Sequence, residues 1–429
     1  MDVLKTTLSN GLNVLLKEIH TTPIISHWLW VRVGSRDEPT GLTGASHWVE
    51  HMQFKGTPLF PAGRLDKDIS RDGGFWNAMT YIDWTAYFST MPADKIDLPM
   101  RLEADRLVHS NFDPQEVAAE RTVIISERQG NENNPMFLLD QDVQSAAFEK
   151  HPYKHEVIGD MADLQSMSRE DLYNHYKRFY IPNNAVLAMA GDFDSQLMLD
   201  SVRQLYEAIP AGPAPARVAA EEPAPQEERR VVTRGPGETI FVKAAYRSVR
   251  ATHPDFSALT VADSLLAGPS NLNMFSGGIS NKTSRLYRHL VDRDLAVAVS
   301  GGLQATIDPF LYDITIVVHP ERKADEGIAA LDEEIARLQD KAPKAEELAR
   351  AVKQAQALFA YGSESITNQA FWLGFAEIFD RYAWFETYLA RLAAVTPQDV
   401  QRVAQTYLRA ERRVLGVYQP DGRPAGDDA

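Results

Sequence analysis

The spacing of apolar and polar residues changes several times along this chain, and each change marks an element. Residues 8–16, centred on Asn10-Gly11, read as a β-hairpin. Residues 24–33 read as a strand that runs on into a helix near residue 45. Residues 95–111 and 113–131 carry helical spacing. Asp113 suits the N-cap of the second of these, Pro114 its first turn, and Glu116 the capping box. The apolar run 186–191 reads as a buried strand. The second half opens with a strand over 238–246. Helices follow over 256–267, 284–292, 324–339 and 345–363, then a strand over 414–418. The halves share a similar coarse order of elements, as a duplicated fold would.

Between them, residues 210–229 are rich in Pro, Ala and Glu and can bury little, which reads as an exposed linker. The expected division is a domain over 1–209, the linker, and a second domain over 230–429. A chain of 429 residues is too long for one ordinary core. Residues 420–429 read as a frayed acidic tail.

Composition narrows the chemistry. A net charge of −15 and a pI near 5.2 argue against nucleic acid as a partner. No apolar run is long enough to span a membrane, so no membrane role is expected. The first residues lack the basic and apolar regions of a signal peptide. The expectation is therefore a cytoplasmic protein, or a periplasmic one if a leader was removed. With no Cys, only His and carboxylates are left to bind a metal.

The segment richest in chemistry is His47-Trp48-Val49-Glu50-His51, an H-x-x-E-H pattern. On a helix, positions 47 and 51 stand one turn apart, so both imidazoles can reach one metal. Glu50 is expected on the exposed rim of that face, where it can act as a base. The plainer reading is a surface helix with two solvated histidines. A third ligand is sought in the helix beginning at Asp113, where Glu120 and Glu127 share a face. Alone, Glu127 reads as a solvated carboxylate; the histidine pair upstream reverses that balance.

The stretch from Gly44 to Thr57 resembles the signature of the inverzincins, the insulinase/pitrilysin peptidase family that includes mitochondrial processing peptidase. Glu120-Arg121-Thr122-Val123-Ile124-Ile125-Ser126-Glu127 is similar to the family's segment bearing the third zinc ligand, and Glu127 lies 76 residues after His51. Gly34-Ser35-Arg36-Asp37-Glu38, the segment Asn77-Ala78-Met79-Thr80 with Asp83, Thr85 and Tyr87, and His151-Pro152-Tyr153 match further family segments.

The resemblance implies an α+β fold of two related α/β-roll domains of about 200 residues each, forming half of a clamshell. It also implies one Zn2+ per chain on His47, His51 and Glu127, with Glu50 as catalytic base and Glu120 in support. Asn77 and Ala78 would lie on the strand that pairs with the substrate. The implied activity is a zinc-dependent endopeptidase acting on peptides or unfolded segments in a closed chamber.

One feature departs from the family. Its self-sufficient members place an Arg and, seven residues on, a Tyr in the second half to bind the substrate carbonyl. Here the aligned positions hold Leu290 and Val297, which donate no side-chain hydrogen bond. This implies a heterodimer, or a dimer of heterodimers, whose related partner carries the Arg/Tyr pair. Two alternatives stay open: a self-sufficient homodimer using Arg288 or Arg293, and a catalytically reduced core subunit.

Overall fold

The computed structural model describes residues 3–217 and 221–422. Residues 218–220 of the Pro-rich stretch and 423–429 of the tail lie outside the described residues. The chain is α+β and forms two compact units, each built on one mixed sheet.

The first sheet contains β1 (Leu4–Thr7), β2 (Asn13–Glu18), β3 (Ile24–Val31), β4 (Phe75–Thr80), β5 (Thr85–Pro92) and β6 (Ala185–Gly191). Its order is β1-β2-β6-β3-β5-β4, so β4 is a free edge. The β2–β6 pairing is parallel and the others antiparallel. β6 is buried at every position, as its continuous apolar run requires. The helices of this half are α1 (Ala45–Met52), α2 (Leu65–Arg71), α3 (Asp97–His109), α4 (Pro114–Glu132), α5 (Pro135–Ala147), α6 (Met161–Ser166), α7 (Arg169–Phe179) and α8 (Ser195–Tyr206).

The second sheet contains β7 (Arg229–Gly235), β8 (Phe241–Arg247), β9 (Ala296–Leu303), β10 (Leu311–Val318) and β11 (Arg413–Pro420), in the order β7-β11-β8-β10-β9. Here β7–β11 is the parallel pair. Strand for strand, this order repeats β2-β6-β3-β5-β4 of the first sheet. The helices are α9 (Phe256–Leu266), α10 (Ala324–Asp340), α11 (Ala345–Tyr361), α12 (Ile366–Phe379), α13 (Ala383–Ala393) and α14 (Pro397–Tyr407). Residues 284–292, read as an ordinary helix, contain a π-helical turn at Tyr287–Val291.

Two helices lie away from their own half of the sequence. α5 packs on β7, β8 and β11 of the second sheet, while α12 packs on β3 and β6 of the first. α12 is apolar on nearly all sides, which suits a helix enclosed by a core. Phe371 and Phe375 meet Trp28 and Trp30 there. Gly374 lets the helix come that close, since a Cβ at this position would lie 2.0 Å from the Trp30 indole nitrogen. The 210–229 stretch is also fastened more than its composition suggests. Arg217 pairs with Asp37 at 3.0 Å, and half-buried Glu222 accepts backbone N–H groups of Glu149, Lys150 and His151. No helix among the described residues is long and apolar enough to cross a membrane.

Candidate metal centre

α1 is short, and its entry is built with care. Gly44 precedes it at φ +88°, a left-handed conformation that favours glycine. Buried Glu38 then caps the helix, its carboxylate accepting the N–H of Gly44 at 2.8 Å and of Ser46 at 2.7 Å. Burial pushes the Glu38 carboxyl up to about 8 against the opposing pull of those amides. This gives the Gly34–Glu38 segment a physical role that its sequence did not reveal. Ala45, Trp48, Val49 and Met52 are fully buried, which leaves His47 and His51 together on the other side.

α4 brings the carboxylates. Asp113 caps it, accepting the N–H of Gln115 at 2.8 Å and of Glu116 at 3.3 Å. The Glu116 carboxylate, expected to close a capping box, instead lies 3.5 Å from Lys55 Nζ. Arg121 stacks over Trp48 of α1 and donates to the carbonyls of Leu164, Gln165 and Met167, which pins α4 beside α1. Glu127 Oε2 then lies 3.9 Å from His47 Nε2 and 3.7 Å from His51 Nε2.

One atom from each of His47, His51 and Glu127 falls within 4.8 Å of the others. A tetrahedral zinc with bonds of about 2.0–2.1 Å spaces its ligands by roughly 3.4 Å, so the three need close only slightly. The protonation state of His47 suits a cation. Burial lowers His47 to about 3, which keeps its imidazole neutral. Burial also acts to lower His51, but its hydrogen bond to Glu120 and the surrounding carboxylates outweigh that and raise it. His51 Nδ1 meets Glu120 Oε1 at 2.8 Å, which assigns the proton to Nδ1 and leaves Nε2 free for the cluster. The hydrogen bond from His51 leads in pulling Glu120 down to about 2, with Lys55 paired to its other oxygen.

Glu50 departs from expectation. It is not on an exposed rim but buried, because it points between α1 and the first sheet. Thr80 of β4 donates a 2.6 Å hydrogen bond to its Oε2. Burial raises the Glu50 carboxyl despite this bond. Thr80 thus joins the helix that carries the histidines to the free sheet edge. Sequence reading missed the roles of Thr80, Lys55 and Glu38. Only Lys55, four residues past His51, carried a signal in its spacing.

Asn77 and Ala78 lie on β4, opposite Phe88 and Tyr87 of β5. Asn77 is exposed, and its Oδ1 accepts the Ala78 N–H at 2.9 Å. Tyr87 and Asp83 of that segment serve the core. Tyr87 is buried with its hydroxyl 2.7 Å from that of Tyr180, and Asp83 is buried 3.7 Å from Arg36. His151 belongs to the second unit, 3.2 Å from Asp308. Leu290 is fully buried, and Val297 is exposed on β9.

Residues 13–161 match the family model described as insulinase (peptidase family M16), and residues 166–355 match the model described as peptidase M16 inactive domain. The chain is 30% identical to zinc protease PqqE of Helicobacter pylori over 350 residues, covering 79% of this chain and 74% of that one. It is 26% identical to the mitochondrial-processing peptidase subunit beta of Dictyostelium discoideum over 417 residues, covering 94% and 86%. A crystal structure of a protease from Helicobacter pylori superposes with a TM-score of 0.90 at 26% identity, covering 98% of this chain and 99% of that one. With this geometry and these relatives, the chain belongs to the insulinase family of peptidases, peptidase family M16.

Proposed function

We propose that this chain is a zinc-dependent endopeptidase subunit that cuts extended peptides or unfolded segments. The observation that carries this reading is the convergence of His47, His51 and Glu127 beside a Glu50 anchored to the sheet edge by Thr80. His47, His51 and Glu127 hold one zinc per chain. When bound, zinc supplies a Lewis acid for the scissile carbonyl and makes water easier to deprotonate. Glu50 takes the proton of the attacking water and delivers it to the leaving amine. Burial raises its pKa, which makes the carboxylate a stronger base toward that water. Glu120 positions the His51 imidazole and Lys55 positions Glu120. The substrate backbone adds as a strand at the free edge of β4, beside Asn77 and Ala78. To reach the Ala78 N–H it displaces the Asn77 side chain.

The donors for the developing oxyanion come from a related partner chain that carries the Arg/Tyr pair, in a chamber closed between the two. Support comes from the apolar side chains at Leu290 and Val297, and from a relative whose name describes it as a subunit. Losing one such donor commonly slows turnover by about 100- to 1,000-fold. The test is hydrolysis of an internally quenched peptide by the zinc-quantified chain, alone and with a co-expressed homologous chain bearing the pair. About one zinc per chain, with chelator-sensitive activity in the mixture only, supports the split site. Full activity from the lone chain overturns it. Zinc without hydrolysis in either sample points instead to a catalytically reduced core subunit.

A further inference from the structure

A cavity of about 640 Å³ opens within the second unit, among the π-helical turn at Tyr287–Val291, the end of α10 and the start of α11. This is within the size range of small-molecule sites. Six cationic side chains line it: Arg285, Arg288, Arg293, Arg337, Lys341 and Lys344. Its carboxylates are Glu334, Asp340 and Glu347, and two of these are already engaged. Glu347 accepts both Arg285 Nε and Nη2, at 3.3 and 3.1 Å, and the Lys344 N–H at 3.1 Å. Buried Glu334 meets His289 Nδ1 at 2.7 Å and accepts from Arg337 at 2.5 Å. Among the described residues, no ion pair is formed by Arg288, Arg293, Lys341 or Lys344. Of the carboxylates that line the cavity, only Asp340 is left beside these four cations, all of which are exposed.

That clustering runs against the chain as a whole, whose net charge is −15. Like charges grouped around one concavity repel through the solvent, and they draw anions from it. The lining offers little else. Ala342 is its one apolar residue, and it has no phenyl, phenol or indole ring to stack on a base or hold an apolar side chain. Its selectivity must therefore come from charge and hydrogen bonding. Guanidinium forks match phosphate oxygens in pairs, and the lysines add compact point charges. π-Helical turns also recur at functional sites.

We propose that this cavity binds a compact oligophosphate anion, with Arg288 and Arg293 on one wall and Lys341 and Lys344 on another. The reading is independent of the metal centre. The test is calorimetric titration of inorganic triphosphate into the zinc-loaded chain at low ionic strength. Two double variants are compared with the wild type: Arg288→Glu with Arg293→Glu, and Lys341→Glu with Lys344→Glu. Chelation of zinc by triphosphate is common to all three, because each keeps the metal centre, so the difference isolates the cavity. The expected result is one saturable site that each double variant weakens by roughly 30-fold or more, with fold and zinc content unchanged. Absence of saturable binding overturns the proposal, as does equal affinity in both variants. A tetraglutamate peptide that binds as tightly as triphosphate also overturns it, by showing a site for acidic peptides.

Discussion

The same topological slot, between the third strand of the motif and its free edge strand, holds α1 in the first unit and α9 in the second. α1 buries one side and leaves His47 and His51 on the other, against the carboxylates of α4. All eleven residues of α9 are buried, and its one carboxylate, Asp263, is pushed up to about 7 by that burial. The edge strands differ in the same way. β4 is linked to the site through Thr80, whereas β9 presents Val297 where a hydrogen-bond donor was sought. One fold, used twice, therefore bears the metal-site chemistry once. The topology supplies positions, and the side chains at those positions decide what they do.

The largest expected effect tests the half that bears the metal-site residues. Glu50→Gln should keep zinc by elemental analysis and lower kcat by about 100- to 10,000-fold, the usual range for a lost general base. Wild-type turnover in that variant would reassign the base. Glu127→Ala should then lose most of the zinc, because two histidines hold it poorly. Retained stoichiometric zinc after dialysis would remove Glu127 from the site.

Glu120→Gln should weaken zinc by about 10- to 100-fold in a competitive chelator titration, since His51 loses the partner that orients it. An unchanged affinity would make Glu120 a bystander. At the exchanged helix, Gly374→Ala should destabilise the chain by about 1–3 kcal/mol in denaturant unfolding, because the new methyl meets the Trp30 indole.

The smallest effect is a pH slope at the cap of α1. Glu38 is raised to about 8 in the fold, above its value in the unfolded chain. Between those two values the folded chain binds the extra proton, so stability falls as pH rises through that window. Melting temperatures should therefore decline from pH 5 to 8 more steeply in the wild type than in Glu38→Gln. Parallel profiles would show that Glu38 titrates as it does unfolded.

How much could be read in advance differs from residue to residue. The histidine pair was legible because a four-residue spacing puts both on one helical face whatever surrounds them. The 10–11 hairpin turn and the apolar run of β6 were legible for similarly local reasons. Glu50 was misread because spacing gives its angle around the helix but not what covers that angle. The sheet covers it, and Thr80 meets it there. Glu38 was seen as part of a matching segment, yet its capping role depends on a chain reversal that brings it back to Gly44. The exchange of α5 and α12 left no mark on local pattern, since an apolar helix looks the same whichever sheet it covers.

The sequence by itself determined the helices and strands with the clearest periodicity, the similar coarse order of elements in the two halves and the histidine pair of α1, because these follow from spacing within a few turns of chain. Only the tertiary structure decided that Glu127 reaches the histidines, that Glu50 is buried, and that Arg288 and Arg293 share a cavity with Lys341 and Lys344. Those outcomes depend on packing between segments far apart in the chain, where burial and opposing charge set each group's environment.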